Sequence, residues 1–325
     1  MNERIGIGLI GLGSIGQRML RNAAQHARVR PAVAFDPDGA RKTQVLAGHP
    51  EVESVADVQA LIEHPDVDVV YVASPPATHA AHASAALAAG RPVLCEKPLG
   101  IDLDASRALV AQAAASGVPN AVNFIYASGA GNALARTLAA GTLGRVHGAE
   151  LVVHGRDWAA RRYAEAPWLA RDAQGGLLRE VVSHYLFLSQ RLFGTVEVID
   201  ARLAGGEADG AAETRIIAEL RCGGVPVSLL ASTEGAGPDR FEYTVWGERE
   251  SRATVGLYGL IGSDGGPWQP VGEVPADPAA HWFSQQLDNI ADWAGGGTHS
   301  MPDFEAAFAV QTAIEGLRRI GRERG

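Results

Sequence analysis

The chain has 325 residues, 46% hydrophobic and 20% charged, with 28 basic against 37 acidic residues for a net charge of −9. That length fits two ordinary domains, the composition excludes wholesale disorder and collagen-like structure, and an acidic chain without a basic run argues against nucleic acid or an anionic membrane as partner. Two distant cysteines, Cys95 and Cys222, cannot make a disulfide framework, no apolar run reaches the ~20 residues that span a bilayer, and no secretory pattern opens the chain, so the expectation is a soluble, cytoplasmic protein in a reducing compartment.

The first 120 or so residues alternate short apolar runs with Ala-rich amphipathic runs. Ile5–Ile10 reads as a strand, Ser14–His26 as a helix, and Val29–Phe35 as a second strand ending at Asp36. Helices follow over Ala40–Ala47 and Asp57–Glu63, a buried strand over Val67–Ala73, a helix over Thr78–Ala89, a strand over Pro92–Cys95 and a helix over Asp102–Ser116. Strands rich in β-branched residues alternating with helices mean a parallel sheet covered on both faces. Another strand begins at Val118, and near Asn123 the pattern changes. A helix over Ala130–Ala140, a strand over Val146–His154, a loop rich in Arg, Trp and Pro, and a helix over Leu177–Leu192 come next. Strands Ile199–Leu203, Glu213–Arg221, Pro226–Ser232 and Phe241–Trp246, separated by glycine pairs, predict an antiparallel sheet. Ile261–Pro278 reads as a Gly/Pro-rich loop, and Trp282–Trp293 and Phe304–Arg319 as closing helices. The expected division is 1–122 and 123–325.

Gly11, Gly13 and Gly16 form G-x-G-x-x-G after an apolar strand and at the start of a helix, and Asp36 lies 20 residues past Gly16. The first glycine allows the tight turn, the second lets backbone approach a pyrophosphate, and the third lets helix pack on strand. The turn Gly11, Gly13, Ser14, Ile15 and Gly16 is therefore a candidate dinucleotide cradle, with the helix N-terminus facing phosphate and Asp36 accepting from the adenosine ribose. A carboxylate there repels a 2′-phosphate, so NAD is favoured over NADP, although Arg41 and Lys42 stand near enough to serve the latter. Ser74, Pro75, Thr78 and His79 end a strand, where a doubly wound sheet opens its cofactor crevice. Thr78 reads equally as a helix N-cap. His79 and His82 lack the further ligands of a metal set, and no metal is expected.

Only Lys42 and Lys97 are lysine among the 28 basic residues. Lys97, in Cys95-Glu96-Lys97-Pro98, sits at a strand's carboxyl end, where a compact, titratable cation can share a proton with a reacting oxygen. The tetrapeptide alone reads equally as a surface lysine paired with Glu96. Glu180 and His184 stand at i and i+4 among apolar residues, so they share a helix face. A satisfied structural pair is the plain alternative.

The glycine loop, the Ser74–His79 turn, Glu96-Lys97-Pro98 and Gly175–His184, in this order, resemble the Gfo/Idh/MocA family of nicotinamide-dependent oxidoreductases over nearly the whole chain. The resemblance implies an N-terminal Rossmann doubly wound parallel sheet and a C-terminal α/β domain with a large, mostly antiparallel open sheet, through which copies pair into homodimers or homotetramers. It implies that Lys97 is the catalytic lysine, that His184 is the general acid/base and that Glu180 stands where the family usually has aspartate. Glu96, with Pro98, would hold Lys97 in place, and Glu96, Lys97 and Asn123 join the cofactor set. Trp168 resembles an aromatic near nicotinamide and substrate. Departures fall around the substrate: Glu180 is longer than Asp, Val182 replaces a frequent glycine, Leu169 a frequent arginine and Pro76 a frequent asparagine.

The activity so implied is reversible hydride transfer between nicotinamide and a carbinol or carbonyl carbon of a sugar, an inositol-like polyol or a derivative. His184 would move the hydroxyl proton and Lys97 would stabilise the alkoxide. Substrate candidates are Tyr126, Trp158, Arg162, Trp168 and Arg179, with Arg156, Asp157, Arg161 and Tyr163 in the same loop. Two other readings are an imine or aldose-type carbonyl reductase on the same scaffold, and a nucleotide-binding sensor without turnover.

Overall fold

The computed structural model describes residues 4–158, 166–206 and 210–324. Arg161, Arg162 and Tyr163 lie outside them. The described residues fall into two compact units, one running to Phe124 and including Phe283–Phe308, the other holding Ile125–Trp282 and the chain from Ala309.

The first unit carries a six-stranded parallel sheet in the order β3-β2-β1-β4-β5-β6, formed by β1 (Ile5–Ile10), β2 (Val29–Phe35), β3 (Glu53–Ser54), β4 (Val69–Val72), β5 (Val93–Glu96) and β6 (Asn120–Asn123). Order reverses beside β1, which places a topological switch point between β1 and β4. Helices α1 (Ser14–Ala24), α2 (Gly39–Leu46), α3 (Val58–Glu63), α4 (His79–Ala88) and α5 (Leu103–Ser116) connect the strands. Asp38, Asp57 and Asp102 cap α2, α3 and α5 by accepting from backbone N–H groups of the first turn, satisfying donors a helix start leaves open. The strands bury Ile7, Leu9, Val33, Val70, Val72, Leu94 and Val122 completely, as a sheet covered on both faces requires.

Phe283–Phe308 packs with this unit although the sequence reading drew a single cut at 122/123. Val122 N–H donates to Pro302 O at 2.9 Å, Phe304 N–H to Asn120 Oδ1 at 2.8 Å, and Arg28 pairs with Asp292 at 2.7 Å. Backbone and side-chain polar groups of β6 thus find partners in a segment some 180 residues away, a match no local pattern encodes.

The second unit holds α6 (Gly129–Ala139), β7 (Val146–His154), α7 (Ser183–Phe193), β8 (Val196–Gly205), β9 (Glu213–Cys222), β10 (Val225–Ser232), β11 (Arg240–Gly247), β12 (Ser251–Val255), β13 (Gly259–Ser263) and β14 (Gln269–Pro270). Its eight-stranded sheet runs β14-β13-β12-β11-β7-β10-β9-β8 and is antiparallel except where β7 meets β10. The region 261–278, expected to be loop, carries the end of β13 and all of β14, because backbone pairing of β13 with β12, and of β14 with β13, recruits a glycine-rich stretch that has little strand propensity of its own. Alternation along β9 and β10 buries Ile216, Ala218, Leu220, Val227 and Leu229 on one face and leaves Ile217 and Leu230 on the other. On the buried face Tyr185 of α7 stacks on Tyr243 of β11 at 6.2 Å, and Ser189 and Tyr243 share a hydrogen bond of 2.9 Å. The closing helices are α8 (Pro278–Ala294) and α9 (Phe304–Arg324). No helix among the described residues is long and apolar enough to cross a membrane.

Candidate active site

The glycine turn is built to leave space. Gly11 has φ of +100°, and a Cβ there would sit 2.7 Å from Ala73 O; a Cβ on Gly16 would sit 2.0 Å from Gly11 O. Gly13 is the opposite case: a Cβ there would meet nothing within 4 Å, so open space lies over the start of α1. That start has no side-chain cap and no acidic residue in its first turn. The positive end of the helix dipole therefore faces that open space, an arrangement that favours an anion. This geometry fits the pyrophosphate of a dinucleotide.

Asp36 is 3% exposed and closes the turn from the end of β2. Its Oδ2 accepts from Leu12 N–H at 2.7 Å, and its Oδ1 from Asp38 N–H at 2.9 Å and Arg41 at 3.4 Å. The carboxylate thus shapes the loop, a role the sequence did not disclose. Lys42 is turned elsewhere, donating to Val55 O at 2.8 Å and lying 5.6 Å from the Phe35 ring. Of the two basic candidates for a 2′-phosphate, only Arg41 faces Asp36.

At the carboxyl end of β4, Thr78 Oγ1 donates to Ser74 Oγ at 2.7 Å and lies 2.8 Å from Pro75 O, and it does not cap α4. Pro75 is exposed and Ser74 half-buried. His79, expected to touch cofactor, is 1% exposed; its Nδ1 lies 2.8 Å from Pro98 O and its Nε2 2.8 Å from Ser74 O. Its ring holds two turns together instead of facing a ligand.

Glu96 ends β5 as the hub of a buried network. It accepts from Tyr71 Oη and, at 2.7 Å, from Asn123 Nδ2, while Asn123 Oδ1 accepts from Gln286. Burial, and then the Glu96 carboxylate, push the Tyr71 pKa well above its ordinary value, so this hydroxyl is a fixed donor. Asn123, read as a cofactor ligand, has both ends of its amide engaged by protein. Lys97 follows Glu96 directly, half-buried, and the Lys97–Pro98 bond is cis. The backbone on either side of the lysine is held by Glu96 through its network and by His79 through Pro98 O.

In the second unit Gly175-Gly176 leads into a π-helical turn, Leu178–Val182, that runs on into α7. π turns inside helices concentrate at functional sites; this one carries Glu180, and His184 follows one turn on. Glu213 of β9 fixes its start: Oε1 accepts from Leu178 N–H at 2.7 Å. Gly176 has φ of +103°, and a Cβ there would fall 2.7 Å from the same carboxyl group, so only glycine lets the helix start approach Glu213. Arg179 is 5% exposed and reaches Glu315 at 2.7 Å and Asp172 O at 2.5 Å. It anchors this turn and is not presented to a substrate. Arg318 extends the network to Asp172 at 2.7 Å and Glu213 at 3.8 Å.

His184 is half-buried, and its Nδ1 accepts from Ile125 N–H at 3.3 Å. A nitrogen that accepts carries no proton, so the neutral ring holds its hydrogen on Nε2. Tyr126, a substrate candidate, is 1% exposed and lies against Tyr185 at 5.0 Å; burial raises its pKa to about 12. Trp158 is likewise buried, at 6%. Trp168 is half-buried in a short 3₁₀ turn, Pro167–Ala170, and Arg156 and Asp157 form an exposed ion pair of 3.3 Å.

Comparison with known proteins matches this architecture. Residues 5–124 match the model of the oxidoreductase family with NAD-binding Rossmann fold, and residues 132–252 the GFO/IDH/MocA C-terminal domain. The chain belongs to the Gfo/Idh/MocA oxidoreductase family, and residues 5–124, the bulk of its first unit, are the NAD-binding Rossmann domain of that family. It is 31% identical over 211 residues to 1-carboxy-3-chloro-3,4-dihydroxycyclohexa-1,5-diene dehydrogenase of Comamonas testosteroni, covering 64% of this chain and 52% of that one. It is 41% identical over 99 residues to an inositol 2-dehydrogenase of Acidothermus cellulolyticus, 30% of this chain and 29% of the other. The chain thus spans about half the length, or less, of these curated relatives. Among solved structures it resembles levoglucosan dehydrogenase in complex with NADH and levoglucosan, with a TM-score of 0.84, 21% identity, and 99% and 98% of the two chains covered; at that identity the likeness shows the fold.

Proposed function

We propose that this protein is an NAD-dependent dehydrogenase or reductase acting on a secondary alcohol, or its ketone, borne on a hydroxylated six-membered ring such as a sugar or an inositol-like polyol. The observation that carries the reading is the pair of prepared turns in the NAD-binding unit, the uncapped α1 start over open space and the braced Glu96-Lys97-Pro98 turn at the carboxyl end of β5. The named relatives act on a dihydroxycyclohexadiene and an inositol, and a structural neighbour binds levoglucosan; what they share is a ring alcohol. NAD, when bound, supplies or accepts the hydride.

The chain's own residues then have distinct tasks. Gly11, Gly13, Ser14, Ile15 and Gly16 hold the pyrophosphate, and Asp36 reads the adenosine ribose. Lys97 neutralises charge on the substrate oxygen and exchanges its proton, the electrostatic task that usually contributes most. His184, with its hydrogen on Nε2, is the proton donor in reduction. To take a proton from an alcohol at Nε2 the ring must first move its own proton to Nδ1 and give up the contact with Ile125 N–H. Glu180 orients a neighbouring hydroxyl. Two copies pair through the outer face of the eight-stranded sheet, where Ile217 and Leu230 are cross-strand partners 42% and 45% exposed. The two cysteines, both free and buried, suit a reducing cytoplasm.

The test is steady-state turnover of Lys97→Ala and His184→Ala beside NADH affinity measured by fluorescence. Each variant is expected to lose a factor of roughly 10²–10⁴ in turnover, with affinity retained. Wild-type turnover in either variant removes that residue from the mechanism; NADH binding without turnover by wild type on any ring alcohol or ketone favours the sensor instead.

A further inference from the structure

The buried ring of His79 lies between two groups that can only accept. Nδ1 is 2.8 Å from the carbonyl oxygen of Pro98, and Nε2 is 2.8 Å from that of Ser74. A neutral imidazole has one N–H. Whichever nitrogen carries it, the other would set a lone pair against a carbonyl oxygen at hydrogen-bond distance, inside a site 1% exposed, where such a contact has no water to relieve it. An imidazolium donates from both nitrogens and satisfies both carbonyls, and hydrogen bonds from a charged donor are about twice as strong as neutral ones.

We propose that His79 is a positioning residue of the cofactor crevice, clamping the Ser74 turn to the Lys97–Pro98 turn as an imidazolium that donates from both ring nitrogens. The functional weight of the clamp rests on the dinucleotide reading above. The groups that face the ring electrostatically are Glu96, whose charge supports the imidazolium, and Lys97, whose charge opposes it. Burial is the strongest influence on the His79 pKa and pulls it below the ordinary value; the Pro98 and Ser74 carbonyls pull it back. The two-armed contact is therefore the acid form of the ring. Loss of the proton frees one arm and loosens the tie between the Ser74 turn and the Lys97–Pro98 turn.

The test is NMR of the full chain with labelled histidine, without cofactor or substrate, so its outcome is independent of whether the proposed reaction occurs. The His79 ring is assigned by through-bond correlation in the wild type, which needs no variant to fold, and checked by loss of its signals in His79→Gln. Between about pH 5 and about pH 9, two exchange-protected ring N–H signals are expected at the acid end and one at the alkaline end, with the backbone amides of Ser74 and Lys97 shifting at the same midpoint. A single ring N–H at every pH, or a titration that leaves Ser74 and Lys97 unmoved, overturns the proposal. With the clamp established, NADH affinity in wild type is expected to weaken through that midpoint and in His79→Gln to be flat with pH; a wild-type affinity flat across the ring's titration separates the clamp from cofactor binding and overturns its functional role.

Discussion

Replacing Glu96 with alanine should cost more stability than the loss of one carboxylate suggests, because of what it strands. Tyr71 Oη and Asn123 Nδ2 both donate to Glu96, and these residues are 1% and 7% exposed. Asn123 cannot turn its amide over to compensate, since its oxygen already accepts from Gln286. A buried donor left without an acceptor costs about 1–3 kcal/mol, so two together cost about 2–6 kcal/mol. Both donors meet the same oxygen, Oε1, so Glu96→Gln, with its amide oxygen in that place, keeps both bonds and should lose far less than Glu96→Ala. The decisive arm is a double-mutant cycle with Tyr71→Phe, which removes the hydroxyl. In wild type Tyr71→Phe deletes a satisfied bond and destabilises; in the Glu96→Ala background it removes a stranded donor and should restore about 1–3 kcal/mol. Thermal and urea unfolding of the four proteins reads the cycle. An unchanged midpoint in Glu96→Ala, or a Tyr71→Phe cost equal in both backgrounds, would refute the network as the support of the Lys97 turn.

Other outcomes follow from named contacts. Arg41 is the basic group that faces Asp36, so Arg41→Ala should lower kcat/KM for NADP+ and leave NAD+ nearly unchanged, whereas Asp36→Ala should narrow the NAD+ preference and also weaken both cofactors, since Leu12 N–H loses its acceptor; an unaltered ratio in both would dismiss this pair as the ribose reader. Burial raises the Asp172 pKa, but bonds and charges from Arg322 and Arg318 outweigh it and leave a net depression. Stability from these pairs is therefore present above the ordinary carboxylate range and lost as pH falls through the depressed value, so urea midpoints of wild type and Asp172→Asn should converge below about pH 4. Equal separation of the two midpoints at acid and neutral pH would contradict this. Burial pushes the Cys222 thiol up to about 11 and Cys95 well above its usual range, so a thiol reagent at neutral pH should label neither in the folded chain and both in urea; prompt labelling of the native protein would show that these sites open.

Much of this could be read from the sequence because it is written locally. Ile5–Ile10, the glycine turn and Asp36 carry their periodicity and spacing within one βαβ unit, and the structure reproduces the strand limits at Ile5–Ile10, Val29–Phe35 and Val146–His154. What could not be read depends on distant partners. Arg179 looks like an anion ligand until Glu315, 136 residues on, takes its guanidinium. His79 looks like a cofactor ligand until the Pro98 carbonyl closes on its ring. β13 is a strand because β12 pairs with it, and β14 because β13 does, not because Gly259–Ser263 or Gln269–Pro270 favours extended backbone. The π turn at Leu178–Val182 has no sequence mark beyond Gly175-Gly176; Glu213, a strand away, sets it.

The measurement that tests the central claim most directly is nicotinamide absorbance with inositols, aldoses, sugar acids and their ketones, with NAD+ or NADH and with NADP+ or NADPH in separate reactions, wild type beside Lys97→Ala. The account predicts turnover on one class of hydroxylated ring, faster with the NAD couple than with the NADP couple, and lost in Lys97→Ala. Turnover that survives the loss of Lys97, or none on any ring alcohol or ketone while NADH still binds, would contradict it.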